Sequence, residues 1–290
     1  MPVSDGASYL EEMGVLDPEP LAGRVAVITG GGAGIGGGAS RLLARAGALV
    51  VLNDIDAGYA EAAAKDIADA GGRAVTVVGD IREPATVARL REAALAATPE
   101  GRVDVLVNNV GDYRPSSVFL RSTEEDWAAS HAINFEHVLR VTQALLPPMI
   151  ESGGGSIVNV STVEALRGIP GCPVYSAYNA AVIAFTKSLA VDVGRKGVRV
   201  NCIAPDMAQT LQTPREQMLR GRDEKLIQSW IPVGRFGEPD EYAQVVLFLA
   251  SDASSYVTGH VLPVDGGTTA ASGWYGRADG RGWTNLPDQA

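Results

Sequence analysis

The stretch Val25-Ala-Val-Ile-Thr-Gly-Gly-Gly-Ala-Gly-Ile-Gly36 holds the first residues whose types and spacing could do chemistry. A short apolar run, Val25 to Ile28, leads straight into glycines, and Ala39 to Ala46 then reads as helix. Such a turn leaves backbone N–H groups free at the positive end of a helix, and its glycines let the main chain approach a pyrophosphate with no Cβ in the way. The chemistry is capture of a dinucleotide phosphate. Gly32, Gly34 and Gly37 satisfy G-x-G-x-x-G, whereas Gly30, Gly34 and Gly36, with Ile35 between the last two, give G-x-x-x-G-x-G. About twenty residues beyond the glycines, Val50-Val-Leu-Asn-Asp54 ends on a carboxylate. It can accept hydrogen bonds from both hydroxyls of an adenosine ribose and would repel a 2′-phosphate, which favours NAD over NADP. No Arg or Lys lies within the glycine turn to rescue such a phosphate.

Other reactive side chains form no pattern of this kind. His131, His137 and His260 share no ligand spacing with Cys or acids, so no metal site is expected, and each reads as a helix-surface or strand-end residue. Cys172 and Cys202 lie far apart without C-x-x-C spacing, which fits reduced thiols in a cytoplasmic protein. There is no G-x-S-x-G elbow for hydrolase chemistry.

The elements that must position the turn and the carboxylate follow from periodicity. Apolar runs rich in β-branched residues occur at 25–28, 49–52, 74–78, 103–107, 156–160, 198–203 and 260–264, with helical patterns near 36–46, 57–70, 84–97, 123–150, 174–193 and 238–250. Regular βαβ alternation of strands apolar on both faces predicts an α/β fold: one doubly wound Rossmann-type domain whose seven-stranded parallel sheet has helices on both faces. Ser122-Thr-Glu-Glu125 reads as a capping box, Pro173 as a first-turn proline and Gly194 as a helix stop.

The main domain is expected over 21–268, after an acidic, Pro-containing extension at 1–20 and before a tail at 269–290. Within it, 206–232 breaks the rhythm just beyond the sixth strand, where open sheets bind ligands, and is a candidate substrate lid. Trp274, Tyr275 and Trp283 in the tail should pack on the domain or on a neighbouring subunit.

With 34 acidic and 24 basic residues the net charge is −10, and no basic cluster exists. Nucleic acid and anionic membrane are therefore unexpected partners. The N-terminus lacks the basic and apolar regions of a signal peptide, and no run is long enough for a membrane span. Asn159-Val-Ser161 matches a glycosylation acceptor but lies inside a buried-strand pattern, so it is discounted.

Further motifs stand in one order along the chain: Thr29-Gly30-x-x-x-Gly34-x-Gly36, Asn108-Asn109-Val110-Gly111, Tyr175 after the pair Ser161-Thr162, Pro205 with Thr210, Arg235-Phe-Gly-Glu-Pro239, and Val264-Asp-Gly-Gly267. As a set they resemble the short-chain dehydrogenase/reductase family over residues 21–268. The resemblance implies that Asp80 and Ile81 flank the adenine, that Asn108 braces the central strand, and that Thr210 approaches the nicotinamide carboxamide. It also implies a homotetramer with the helices near 123–150 and 174–193 at the subunit contacts. In that family a Tyr moves the proton of the substrate oxygen and a Ser hydrogen-bonds the same oxygen. A Lys four residues after the Tyr holds the nicotinamide ribose and lowers the Tyr pKa, and a helical Asn supports a proton-path water. Matched motif to motif, these positions fall on Tyr175, on Thr162 with Ser161 adjacent, on Asn179 in place of the Lys, and on Asn134.

Asn179 is the serious departure, because Asn can hydrogen-bond a ribose hydroxyl but carries no charge. A cation about 5 Å from a phenol at an effective dielectric near 20 is worth roughly 3 kcal/mol, or about two pKa units. Tyr175 is therefore expected near its free value of about 10, which penalises alcohol oxidation more than carbonyl reduction. Lys187 lies eight residues past Asn179, about 12 Å by helical rise, too far to substitute. Arg167 could reach inward, with a surface role as the expected one. Asp112 and Tyr113 follow the Asn-Asn-Val-Gly turn, Glu164 follows Thr162 by two, and Asp206 stands where the family has Gly after Pro205. Singly these acids read as solvated loop carboxylates; converged, they would favour a cationic or polyhydroxylated substrate or supply another proton donor.

The leading expectation is an NAD(H)-dependent oxidoreductase that interconverts a carbonyl and a secondary alcohol and favours reduction of a small-molecule substrate. Two alternatives stay open: an NAD-binding protein with lost or attenuated redox catalysis, and dehydration or isomerisation on the same fold.

Overall fold

A computed structural model of the chain describes residues 18–277 and 282–285. The expected N-terminal extension lies outside them up to residue 17, and the expected tail at 278–281 and 286–290. The elements run β1 (Val25–Thr29), α1 (Gly34–Arg45), β2 (Leu49–Asp54), α2 (Ala57–Asp69), β3 (Arg73–Val78), α3 (Pro84–Ala96) and β4 (Val105–Asn108). They continue with α4 (Glu124–His131), a π turn (Ala132–Glu136), α5 (His137–Glu151), β5 (Gly155–Val160), α6 (Pro173–Val193) and β6 (Val198–Pro205). Two short helices, α7 (Arg215–Leu219) and α8 (Leu226–Trp230), precede α9 (Pro239–Ala250) and β7 (Val261–Val264).

The seven strands form one sheet in the order β3-β2-β1-β4-β5-β6-β7, with every neighbouring pair parallel. Alternate residues of one strand feed opposite faces, as a period of two requires. Ala26 and Ile28 join Leu43, Leu52, Val246 and Leu249 under α1, α2 and α9. Val25 and Val27 join Leu90, Val141, Leu145 and Met149 under α3 and α5. Strands β1, β2 and β4 are buried throughout, but β3 is largely exposed because it is an edge strand, so the expected apolar cover on both faces fails there.

Three local expectations shift. The box opening α4 sits one residue later, with Thr123 Oγ1 accepting from Asp126 N–H and Asp126 Oδ2 accepting from Thr123 N–H. Ser122 is unavailable for it, since its Oγ accepts from the Trp127 indole and donates to Phe119 O. After α6 the chain makes one further turn over 194–196 and reaches the left-handed region only at Gly197, φ 79°. The helix expected over 123–150 runs without a gap from Glu124 to Glu151 but changes register at the π turn over Ala132–Glu136.

A two-residue hairpin, β8 (Tyr275–Gly276) with β9 (Trp283–Thr284), lies against α8, where a Cβ on Gly276 would meet Gln228 O at 2.7 Å. Trp274, Tyr275 and Trp283 nonetheless remain partly exposed. No helix of the described residues is long and apolar enough to cross a membrane.

Candidate active site

Strands β1 and β4 lead their crossovers to opposite sides, so a crevice opens beyond their carboxyl ends. A cleft of about 1110 Å³ lies there. Of the residues singled out from sequence, Gly30, Gly34, Ile35, Asp54, Ser161, Thr162, Tyr175, Asn179, Pro205 and Thr210 line it together. Gly36, Asp80, Ile81, Asn108 and Asn134 are not among its lining residues.

The turn between β1 and α1 is fixed by close approach. A Cβ on Gly36 would stand 2.1 Å from Gly30 O and 2.5 Å from Asn109 Nδ2, so only glycine fits. Of the two glycine registers, the one ending on Gly36 therefore carries the tight packing. Asn109 Nδ2 donates to Thr29 O and Gly30 O at 3.1 and 3.2 Å, tying the turn to the end of β4. Helix α1 begins at Ala33 with no side-chain cap and no acid in its first turn, leaving its positive end to the cleft. Asp54, at the end of β2, accepts from Gly32 N–H through Oδ2 and from Asp56 N–H through Oδ1, both at 3.0 Å. Its carboxylate is thereby held on the glycine turn. Asp80 instead makes a forked pair with Arg82, which holds its carboxyl below the usual range, and Ile81 is buried in the core.

Behind the cleft runs a buried polar ladder. Asn108 Nδ2 donates to Thr142 Oγ1 and Asn159 Oδ1, and Asn159 Nδ2 donates to Thr186 Oγ1, joining β4 and β5 to α5 and α6. The glycosylation match at Asn159 is therefore core. Asn134, within the π turn, accepts from Asp112 N–H and donates to Asp112 O and Ser130 O. The π turn changes the helical register where this Asn reaches the loop after β4. His137 is fully buried rather than on a helix surface; Nε2 donates to Ile133 O at 2.9 Å, Nδ1 has no partner among the described residues, and burial lowers its pKa to about 4.

Tyr175 lies in the first turn of α6, facing Thr162 at the start of the loop after β5. Burial pushes its phenol up to about 12; the Thr162 hydrogen bond pulls the other way, and the charges of Glu164 and Asp112 add to the rise. The expected value of about 10 is thus too low, because desolvation and two acids act where only the missing cation was counted. Thr162 Oγ1 accepts from Glu164 N–H at 3.3 Å and donates to Pro205 O at a long 3.4 Å. One turn after Tyr175, Asn179 Nδ2 donates back to Tyr175 O at 3.0 Å, and Asn179 O accepts from Ser161 Oγ at 3.0 Å. Ser161 thus serves the helix backbone, leaving Thr162 as the hydroxyl beside the phenol. Lys187 is exposed on the far part of α6.

Asp112, Glu164 and Asp206 do converge on the cleft, and none is a simple solvated loop acid. Arg167 reaches inward, against the expected surface role, and bridges Glu164 and Asp206 at 3.0 Å each. Asp206 is almost wholly buried, takes a further hydrogen bond from Thr268, and burial raises its pKa. Burial also acts upward on Asp112, but Arg114 outweighs it through side-chain and backbone hydrogen bonds and holds the carboxyl low. The lid candidate crosses the cleft: Gln212 Nε2 donates to Gly111 O at 3.2 Å, and Met207 and Met218 pack on Ile227, Ile231 and Phe236. The bracing roles of Asn109, Arg114 and Thr268 carry no signature in the sequence. Thr268 lies 62 positions from Asp206, so no local pattern could have joined them.

A family model described as Enoyl-(Acyl carrier protein) reductase matches residues 30–269. The 3-oxoacyl-(acyl-carrier-protein) reductase of Thermotoga maritima is 40% identical over 247 residues, covering 85% of this chain and 98% of its own length. The chain belongs to the short-chain dehydrogenase/reductase family. It is an oxidoreductase of that type. Among solved structures, a Beutenbergia cavernae protein with bound NADP is 36% identical, with a TM-score of 0.79 over 87% of this chain and 99% of that one. A 7α-hydroxysteroid dehydrogenase solved with NADH is 32% identical, with a TM-score of 0.78 over 87% and 96%. A nicotinamide cofactor follows from the family, and the uncapped start of α1, the Gly36 cradle and the Asp54 carboxylate fit one.

Proposed function

We propose that this protein is an NAD(H)-dependent reductase that converts a small-molecule carbonyl to a secondary alcohol. What carries the reading is the convergence of the glycine turn, Asp54, Thr162 and Tyr175 on one cleft. Gly30, Gly34, Ile35 and Gly36 would receive the pyrophosphate, Asp54 the adenosine ribose, Asp80 and Ile81 the adenine, and Pro205 and Thr210 the nicotinamide end. When bound, the cofactor supplies the hydride. Tyr175 donates its hydroxyl proton to the substrate oxygen, and Thr162 Oγ1 turns from its long contact with Pro205 O to hydrogen-bond the same oxygen. A phenol at about 12 is neutral at every physiological pH, so the acid is always loaded, whereas the tyrosinate needed for oxidation is scarce. Asn179 holds Tyr175 O, and Asn134 and Asn108 hold the walls behind. The Asp54 carboxylate supports NAD over NADP.

The proposal extends to a homotetramer in the cytoplasm, with 206–232 acting as lid. The exposed apolar Val191 on α6 supports burial in an assembly. The test is oxidation of NADH by a ketone panel followed at the nicotinamide absorbance, with Tyr175→Phe as control. Turnover that the variant lacks supports the reading. One observation favours a second reading, an NAD-binding protein with attenuated catalysis: the Asn179 amide is spent on its own helix and, among the described residues, no cation stands beside the phenol. Tight NADH binding with no turnover on any carbonyl would favour that reading.

A further inference from the structure

Strands β5 and β6 carry the two segments between which the Thr162 hydroxyl sits. Their ladder ends where Ser161 N–H donates to Ile203 O at 2.9 Å, and beyond that point side chains make the connection. Thr162 Oγ1 reaches Pro205 O at 3.4 Å, longer than a well-made O–H···O bond. Just past it the link is ionic. Arg167 Nη2 donates to Glu164 Oε1 and to Asp206 Oδ2 at 3.0 Å each, and Arg167 Nε donates to Glu164 Oε2 at 3.4 Å.

Both contacts of the Thr162 hydroxyl therefore end beside one guanidinium. The N–H that Oγ1 accepts from belongs to Glu164, whose carboxylate Arg167 holds, and the oxygen that it donates to belongs to Pro205, next in sequence to Asp206. Glu164 is tied to the other catalytic side chain as well, because its main-chain O accepts from Ser176 Oγ, beside Tyr175 in the first turn of α6. Asp206 in turn is anchored. Its side chain is 5% exposed, and Oδ2 accepts from Thr268 Oγ1, which also contacts Asp265 after β7. Arg167 is not among the lining residues of the cleft, whereas Thr162, Glu164, Tyr175 and Asp206 are. It can thus act on the reaction only through them.

We propose that Arg167 is a positioning residue for carbonyl reduction: by stapling Glu164 to Asp206 it sets the separation at which Thr162 Oγ1 and the Tyr175 phenol meet the substrate oxygen. The rigid guanidinium fork can hold two carboxylates at once in fixed directions, which a mobile point charge cannot do as well. Small displacements of orienting groups are costly in rate, so a staple remote from the substrate acts on kcat rather than on substrate affinity. The role rests on the reductase reading.

The test follows NADH oxidation between pH 6 and pH 8 with whichever of cyclohexanone, 2-octanone and ethyl acetoacetate wild type reduces fastest. In wild type kcat is flat over this range, because the phenol stays protonated and Arg167 balances both acids. Arg167→Gln lowers kcat at pH 8 at least tenfold, with ketone KM and NADH affinity unchanged within threefold. It also tilts the profile. Asp206 is then left buried near Glu164, Asp265 and Tyr242 without its cation, so it takes up a proton more readily, bonds Glu164 through that proton and restores part of kcat toward pH 6. Arg167→Lys keeps the charge but not the fork, so its profile stays flat and its loss is smaller. An arginine that only stabilised the fold would lower activity by one factor at every pH. Activity of Arg167→Gln within twofold of wild type, or a loss of the same size at pH 6 and pH 8, overturns the role while wild-type turnover keeps the reductase reading. If Arg167→Gln does not fold, Glu164→Gln, which leaves Arg167 on Asp206 and frees the Thr162 segment, is expected to lower kcat at least threefold, and no change in kcat overturns the role. A wild type that reduces none of the three ketones takes the role down together with the reductase reading.

Discussion

Restoring a cation at position 179 tests the electrostatic reasoning directly. Asn179 follows Tyr175 by one helical turn on the same face, is almost wholly buried, and its side chain contacts Tyr175 O at 3.0 Å. A lysine ammonium at about 5 Å from the phenol oxygen, at an effective dielectric near 20, stabilises the tyrosinate by roughly 3 kcal/mol, or about two pKa units. Tyr175 would then move from about 12 toward about 10. At pH 8 the tyrosinate fraction rises from about 10⁻⁴ to about 10⁻², while the phenol fraction stays near one. Asn179→Lys is thus expected to raise the alcohol-oxidation rate about a hundredfold, change ketone reduction far less, and shift the limb of the oxidation pH profile down by about two units. Loss of the Asn179 amide bond costs about 1 kcal/mol of stability, readable as a small drop in melting temperature. Stopped-flow or steady-state absorbance of the nicotinamide in both directions is the assay. Equal gains in both directions, or an unmoved oxidation profile, would refute the argument that Tyr175 is limited by the missing cation.

Asp54→Ala removes the acceptor for the ribose hydroxyls; hydrogen bonds to a charged group are worth about 1.5–3 kcal/mol each. Fluorescence titration should find NADH affinity down tenfold or more and its preference over NADPH largely gone. Gly36→Ala puts a Cβ 2.1 Å from a main-chain oxygen, so the start of α1 must shift, and cofactor affinity should fall at least tenfold in the same titration. His137 is depressed from about 6.5 to about 4, so the unfolded chain binds its proton first as pH falls. Its contribution is complete above pH 6.5 and is lost progressively down through pH 4, about 3 kcal/mol in all, a loss that denaturant melts should find abolished in His137→Gln.

The sequence made the alternation of strands and helices legible because each run keeps one period over its length, and all seven strands lie where the runs predict. Helix ends were less legible: Ser122 and Thr123 are equivalent in type, and Thr123 caps α4 while Ser122 Oγ is taken by the Trp127 indole from the first turn of the same helix. The cleft-lining set was readable where motif and spacing coincide, as at Gly34, Asp54, Thr162 and Tyr175. What escaped were pairings across the fold. Arg167 and Asp206 are 39 positions apart, Thr268 and Asp206 are 62 apart, and neither pair has a periodicity to reveal it. The rise of the Tyr175 pKa was invisible for the same reason, since it depends on burial and on acids from two other loops.

The central claim is that Tyr175 supplies the proton in a cleft that also holds NADH. Its most direct measurement pairs NADH binding with single-turnover reduction of a ketone in wild type and in Tyr175→Phe, the two differing by one hydroxyl. NADH affinity is expected to be equal within twofold, and the reduction rate of the variant to fall at least a hundredfold. Equal reduction by both proteins, or no NADH binding by either, would contradict it.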